Sequence, residues 1–221
     1  MTEQDMPGPM SKSEPAPAGR AWLFDLATVS TLLAALLYAS GWTYAYHYFA
    51  HFKLGLLMLE IPTRHYFMYG LWVFKAWWWL WAMLYGLLVL AIALWKRYAR
   101  PSWQGLARRP LLTRQLQAML VLLAFSLGWW TASTQAQRYY LDQSRSGFDA
   151  YPHVRIWPKG PPPRDGRLRR LYAALPEGEY RLLLQNSGKL FLFRVPEDGR
   201  PAHLAVVELA LTQVEALRVL P

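Results

Sequence analysis

The stretch that decides the fold is residues 71–95, LWVFKAWWWLWAMLYGLLVLAIALW, which carries a single charged side chain, Lys75. About 20 consecutive apolar residues are enough for a helix to cross the hydrocarbon core of a bilayer. The apolar character extends back to Met68, so residues 68–95 are predicted to form a membrane-spanning helix. Tryptophan is enriched where hydrocarbon meets water, which fits the aromatic cluster in this stretch.

Two further apolar segments flank this one. Residues 26–48 contain no Asp, Glu, Lys or Arg, and neither do residues 116–134. Each segment is long enough to span a bilayer, so the sequence predicts three spans within an α-helical membrane domain that covers residues 21–140. The chain has 12 Trp and 13 Tyr, which agrees with a protein that has two membrane–water interfaces.

The remainder of the chain has an ordinary soluble composition. Residues 1–20 lack large apolar side chains apart from methionine and are predicted to be a disordered tail. Residues 141–166 are predicted to be a proline-rich linker, in which Pro161–Pro163 favour polyproline II. Residues 167–221 are predicted to be a small, mostly β domain that begins with a short helix over Arg167–Leu175.

The clearest strand signal lies in that C-terminal domain. The apolar runs Tyr180–Gln185 and Lys189–Val195 are separated by Asn186-Ser187-Gly188, which is typical of a β-hairpin. Another strand is predicted at Leu204–Leu209, and a helical turn followed by a last strand is predicted after residue 210. Two strands alone are marginally stable, so we expect four or five in a small sheet or partly closed barrel.

Basic residues in the short connections predict the orientation. The connection after the first span carries only Lys53 and Arg64, whereas the connection between the second and third spans has six basic residues and no acid. These topology-determining residues are Lys96, Arg97, Arg100, Arg108, Arg109 and Arg114. The positive-inside bias then places this connection and the amino terminus in the cytoplasm and the C-terminal domain outside. In a bacterial inner membrane, outside means the periplasm.

Composition and motifs also restrict the function. The net charge of +10 is explained by lipid headgroups and topology, since no nucleic-acid recognition motif is present. Because the chain has no cysteine, disulfides, Cys–zinc sites, iron–sulfur clusters and thiol catalysis are excluded. The sequence contains no nucleophile elbow, P-loop, zinc-protease or dinucleotide motif. We therefore expect no enzymatic activity and no cofactor.

Three histidines form a candidate metal site on the predicted outer side. His47 and His51 are four residues apart, so a helix would put them on one face, and His65 and Glu60 follow nearby. Such imidazoles could bind a metal ion or flank a haem. The alternative is that these rings lie at an aromatic helix end and behave like the neighbouring tyrosines at the interface.

Lys75 is the one basic residue inside a predicted span, which makes it a candidate for partner binding or an ion path. Alternatively, its side chain snorkels to the outer surface. The segment Lys53–Pro62 is too short to span and is expected to lie flat in the outer interface or to dip in and return. The glycines of the apolar region form no Gly-x-x-x-Gly pair; they are Gly41, Gly70, Gly86 and Gly128.

Residues 46–70, YHYFAHFKLGLLMLEIPTRHYFMYG, together with RLLLQNSGKLFLF at 181–193, resemble uncharacterised bacterial multi-pass membrane proteins that have an aromatic first-helix end and a small C-terminal β domain. The resemblance implies the architecture and no activity. The leading hypothesis is a non-catalytic accessory, assembly or scaffold subunit that docks a partner membrane protein through its C-terminal domain. The alternatives are a homo-oligomeric channel or membrane-perturbing effector or immunity protein, and a ligand-sensing membrane protein.

Overall fold

The computed structural model describes residues 18–98, 110–161, 163–186, 188–195 and 204–220. The chain divides into two compact units, residues 1–35 and 36–221, so the division falls inside the first helix. Most of the predicted disordered tail lies outside the described residues, but its last three residues already belong to that helix. In the first unit, the Ser30 and Thr31 hydroxyls donate to carbonyl oxygens one turn earlier, which satisfies them within an apolar helix.

In the amino-terminal part of the chain, the described residues form four α-helices. They are α1 (Ala18–Ala50), α2 (Thr63–Ala76), α3 (Trp78–Tyr98) and α4 (Pro110–Arg145). Two segments are long and apolar enough to cross a membrane, Leu26–Ala50 and Gln115–Arg145. A third crossing exists if α2 and α3, which are bent by 71° relative to each other, form one broken span. The protein is thus mostly helical, with two or three candidate spans among the described residues.

The prediction of one continuous helix over residues 68–95 is wrong, because the helix breaks at Trp77. The backbone of Trp77 has φ −115° and ψ 21°, which is outside the helical region. Neither glycine nor proline stands here, so the break has a tertiary cause. Trp77 is only 6% exposed, and its ring centroid lies 5.4 Å from that of Trp130 and 4.9 Å from the Arg138 guanidinium carbon.

Two glycines bring α1 and α2 into backbone contact. A Cβ atom on Gly41 would lie 1.7 Å from the Tyr66 carbonyl oxygen, and one on Gly70 would lie 2.1 Å from the Leu37 carbonyl oxygen. No side chain fits at either position, so only glycine permits this crossing. Gly41 and Gly70 form no Gly-x-x-x-Gly pair in the sequence. In the structure they lie opposite each other where α1 and α2 cross.

From Leu36 onward, α1 runs in the same direction as α4. Gly128 of α4 lies against Ser40 and Leu36 of α1, since a Cβ there would be 2.8 Å from the Ser40 Oγ and 3.1 Å from the Leu36 Cδ1. Just after the end of α1, the ring of His51 stacks on that of Tyr140 in α4, with centroids 4.1 Å apart. Both helices therefore end on the same side of the structure.

The C-terminal region is a five-stranded antiparallel sheet with strand order β4-β3-β2-β1-β5. The strands are β1 (His153–Pro158), β2 (Tyr180–Gln185), β3 (Lys189–Arg194), β4 (Val206–Ala210) and β5 (Val214–Val219). The predicted hairpin, the fourth strand and the final turn and strand are confirmed. The short helix is confirmed as α5 (Gly166–Ala174), where Asp165 accepts hydrogen bonds from the first turn.

Both faces of this sheet are covered around β3. Successive side chains of a strand point to opposite faces. Phe191 and Phe193 pack into a cluster with the ends of α1 and α4, whereas Leu190 and Leu192 pack into a second cluster with Leu175 and one side of α5. All four side chains are fully buried. The sheet is therefore a layer between the helix ends and α5.

The predicted linker over residues 141–166 is largely wrong. Helix α4 continues to Arg145, a short turn follows, and His153–Pro158 forms a strand between β2 and β5. Val154, Ile156 and Trp157 do favour a strand, but the prolines around them indicated a linker. The strands that pair with this segment are distant in sequence, so no local signal marked the pairing. The predicted polyproline stretch includes Pro162, which lies outside the described residues.

Candidate functional site at the helix–sheet junction

The largest buried cluster joins the ends of α1 and α4 to the sheet, and we call it the helix–sheet junction. Tyr44 and Tyr48 are four residues apart, which places both on one side of α1, and Phe52 follows in the turn after the helix. The Tyr44 and Tyr48 rings stack at 5.9 Å, and the Phe52 ring meets that of Phe193 in β3 at 5.5 Å. Aromatic contacts of this kind stabilise beyond simple burial.

Phe148 is at the centre of the junction. Gly147 and Phe148 both have positive φ angles, 66° and 63°, so the chain turns sharply between α4 and β1. A left-handed phenylalanine is strained, and its burial offsets that cost. Its ring lies 6.0 Å from Phe52, 5.8 Å from Tyr140 and 5.2 Å from Phe193, measured between ring centroids.

A hydrogen bond between the hydroxyl groups of Tyr48 and Tyr151 connects α1 to the segment that precedes β1. Burial raises the pKa of the Tyr151 hydroxyl, so it stays protonated and able to donate at neutral pH. A buried hydroxyl without a hydrogen-bond partner lowers the stability of the folded state. Removing either hydroxyl would therefore leave the other one buried and unpaired. The bond therefore links the end of α1 to the start of the sheet.

Arg181 of β2 makes the second polar connection. Its guanidinium donates to the carbonyl oxygens of Phe148 and Tyr151 at 2.8 and 2.9 Å, and it forms an ion pair with Asp149 at 3.3 Å. The side chain is only 12% exposed, whereas that of Asp149 is 77% exposed. The two carbonyl contacts hold the tight turn onto the sheet, and the exposed ion pair adds little.

The segment after α1 packs onto the same junction. Leu56–Leu59 forms a short 3₁₀ helix in which Leu56 and Leu59 are buried while Leu57 and Met58 are exposed. The Asn186 side-chain amide donates to the Leu59 carbonyl oxygen at 3.3 Å. One side of the predicted interfacial segment therefore packs on the protein, and its position in the membrane interface stays a prediction.

The three candidate histidines do not form one ligand set. His47 and His51 both face α4: the His47 ring lies 5.5 Å from Trp129, and the His51 ring stacks on Tyr140. His65 lies in the first turn of α2. Among the described residues, no group of three or more His, Cys, Asp and Glu side chains could hold a metal ion. The buried Nε2 of His47 has no hydrogen-bond partner within the described part of the chain.

The described basic candidates all lie near the ends of helices. Lys75 is exposed in the last turn of α2, two residues before the break. Lys96 and Arg97 are near the end of α3, and Arg114 is near the start of α4. The other three topology-determining residues, Arg100, Arg108 and Arg109, lie outside the described residues.

Sequence reasoning missed the residues that join the helices to the sheet, namely Tyr48, Phe148, Tyr151 and Arg181. One signal was available for Tyr48, because the four-residue spacing of aromatic residues at the end of α1 marks a side that packs. Arg181 and Tyr151 gave no comparable signal, since their partners are backbone groups and a distant hydroxyl.

No protein-family model matches this chain, no curated protein matches it, and no solved structure matches it.

Proposed function

We propose that the chain is an integral membrane protein that crosses the bilayer three times and acts as a non-catalytic accessory or scaffold subunit of a membrane complex. The observation that carries the proposal is the helix–sheet junction, which fixes a folded sheet directly on the ends of two apolar helices. A rigid sheet held at the membrane surface suits a docking element for a second membrane protein.

Exposed apolar surface supports a membrane setting. Only 22% of the apolar window in Leu26–Ala50 and 17% of that in Gln115–Arg145 is buried. In α3, Met83, Tyr85 and Leu90 are each at least half exposed. Extended apolar surfaces of this kind are typical of regions that lipid or another membrane protein covers. The exposed sides of α3 and α4 could therefore contact both lipid and a partner protein.

The direction of the helices supports three crossings. The paired parts of α1 and α4 are parallel, and Gly128 lies 18 residues after the start of α4, or about 27 Å along the helix axis. The chain must therefore return across the bilayer between α1 and α4. Helix α3, at 21 residues or about 31 Å, is long enough to carry that return. We place the basic connection in the cytoplasm and the sheet outside, in the periplasm of a bacterium, from the positive-inside bias.

The topology can be tested because the chain contains no cysteine. Single-cysteine variants Ser102→Cys and Ala173→Cys would be treated with a membrane-impermeant maleimide. The cells would have a permeabilised outer membrane and an intact inner membrane. We expect labelling at position 173 without lysis and at position 102 only after the membrane is opened. The reverse pattern would overturn the orientation, and labelling of both without lysis would overturn three crossings.

The function is tested by purifying the chain from native membranes in a mild detergent and identifying bound proteins by mass spectrometry. Stoichiometric recovery of a different membrane protein would support the scaffold role. A homo-oligomer with nothing else attached would contradict it and favour the channel or effector alternative. Ion flux through reconstituted Lys75→Gln and unmodified chains would then separate those two.

A further inference from the structure

The face of the sheet that contacts the helix ends continues beyond the junction as a basic, tryptophan-containing surface. Arg181 faces the junction, because it donates to Phe148 and Tyr151. His153 is the register partner of Arg181, and alternation along β1 therefore puts Arg155 and Trp157 on the same face. The intervening Val154 and Ile156 are fully buried in the opposite cluster, which agrees with this assignment.

Strand β5 extends this surface by one more strand. Arg155 pairs directly with Arg218, and Trp157 pairs with Ala216. All four residues are exposed. We call Arg155, Trp157, Ala216 and Arg218 the membrane-side patch, because β1 lies only two strands, or about 10 Å, from the β3 residues that touch the helix ends.

The pairing of two arginines is unfavourable within the protein alone. Like charges directly opposite each other on antiparallel strands repel. Within the described part of the chain, neither Arg155 nor Arg218 forms an ion pair with an acidic side chain. An anion bound between the two guanidinium groups would remove the repulsion and accept hydrogen bonds from both.

We propose that the membrane-side patch binds the anionic headgroups of lipids in the leaflet that faces the sheet. The inference rests on the proposed membrane function, since the helices that end at this face would run into that leaflet. Charge complementarity and continuity with the helix-end contact both favour lipid as the occupant. Trp157, 39% exposed beside the two arginines, is a residue type that favours the headgroup layer.

The position of the patch can be measured with a fluorescent label on a single cysteine. Ala216→Cys lies within the patch, and Ala173→Cys on α5 is the matched control, since α5 covers the other face of the sheet. Each labelled full-length chain would be placed in nanodiscs that contain a lipid with a nitroxide on its headgroup. We expect strong quenching at position 216 and weak quenching at position 173. Equal quenching at the two positions would overturn the proposal.

The charge requirement is tested with paired substitutions. In Arg155→Gln/Arg218→Gln, retention of phosphatidylglycerol over phosphatidylcholine, measured by native mass spectrometry, should fall by roughly five-fold per charge removed. The control Arg167→Gln/Arg170→Gln removes two exposed charges from α5 and should keep the preference. An unchanged preference in the patch variant would overturn the proposal.

These outcomes are distinct from a failure of the membrane assignment, in which the chain would remain soluble without detergent and would not enter nanodiscs. The patch substitutions remove a like-charge contact and no described hydrogen bond. The thermal unfolding midpoint should therefore be no lower than that of the unmodified chain, which verifies that the variant is folded.

Discussion

Tyr48 in α1 and Tyr151 before β1 donate and accept one hydrogen bond between their hydroxyl groups, although 103 residues separate them in the chain. The bond lies inside a cluster of aromatic rings, where water does not replace a lost partner. The connection of the membrane helix to the sheet therefore depends on both hydroxyls.

We expect Tyr151→Phe to lower the free energy of unfolding by about 1–3 kcal/mol, since the Tyr48 hydroxyl would remain buried without its partner. The double variant Tyr48→Phe/Tyr151→Phe should lose less than the sum of the single losses. Thermal unfolding of the detergent-purified chain measures this. Tyr180→Phe is the control in the opposite cluster. Additive losses would contradict the coupling.

The glycine crossing makes a second prediction. Gly41→Ala and Gly70→Ala each place a methyl group within 2.2 Å of a backbone oxygen, so α1 and α2 must separate. We expect a destabilisation of at least about 1–3 kcal/mol and a lower yield of folded protein. Gly86→Ala is the matched control, because nothing lies within 4 Å of its Cβ position. Equal effects at positions 70 and 86 would show that the contact is absent.

Arg181 and Asp149 should respond differently, although they form one ion pair. Arg181→Gln removes hydrogen bonds to two carbonyl oxygens in a mostly buried site and should cost about 1–3 kcal/mol. Asp149→Asn removes only the exposed end of the pair and should cost less than about 1 kcal/mol. Denaturant titration of both variants tests this, and similar losses would contradict the role of the carbonyl contacts.

His51 should make stability dependent on pH. Burial lowers the pKa of His51, and the nearby His47 lowers it further. The folded state then binds a proton less readily than the unfolded state, so this contribution is fully present above the unfolded pKa of about 6.5. It is lost as the pH falls through the lowered folded pKa.

The measurement compares unfolding midpoints at neutral and mildly acidic pH. His51→Gln should show a smaller decrease on acidification than the unmodified chain. If acidification lowers the midpoint of His51→Gln by the full amount, another group is responsible for the pH dependence.

Local signals in the sequence were enough for several elements. The uncharged runs at 26–48 and 116–134 predicted the two strongest candidate spans, because a bilayer requires length and apolar character only. The Asn186-Ser187-Gly188 turn between apolar runs predicted the β2–β3 hairpin. Asn186 confirms the reason, since its side-chain oxygen accepts from the backbone N–H of Gly188 and of Lys189.

Elements that depend on distant partners could not be predicted in this way. The helix break at Trp77 arises from the fit of its ring against Trp130 and Arg138, and no local breaker marks it. His153–Pro158 is a strand because β2 and β5 pair with it. The histidine spacing predicted that His47 and His51 share a side of one helix, but α1 ends at Ala50, so His51 lies in the turn that follows, and His65 belongs to another helix.

The sequence by itself determined where apolar helices and the hairpin form, since those properties follow from composition and from residues next to each other in the chain. Only the tertiary structure decided that the sheet is fixed to the helix ends rather than tethered by a linker. The physical reason is that Phe148, Tyr151 and Arg181 stabilise the fold through contacts with groups far away in sequence. Such contacts exist only once α1, α4 and the sheet have come together.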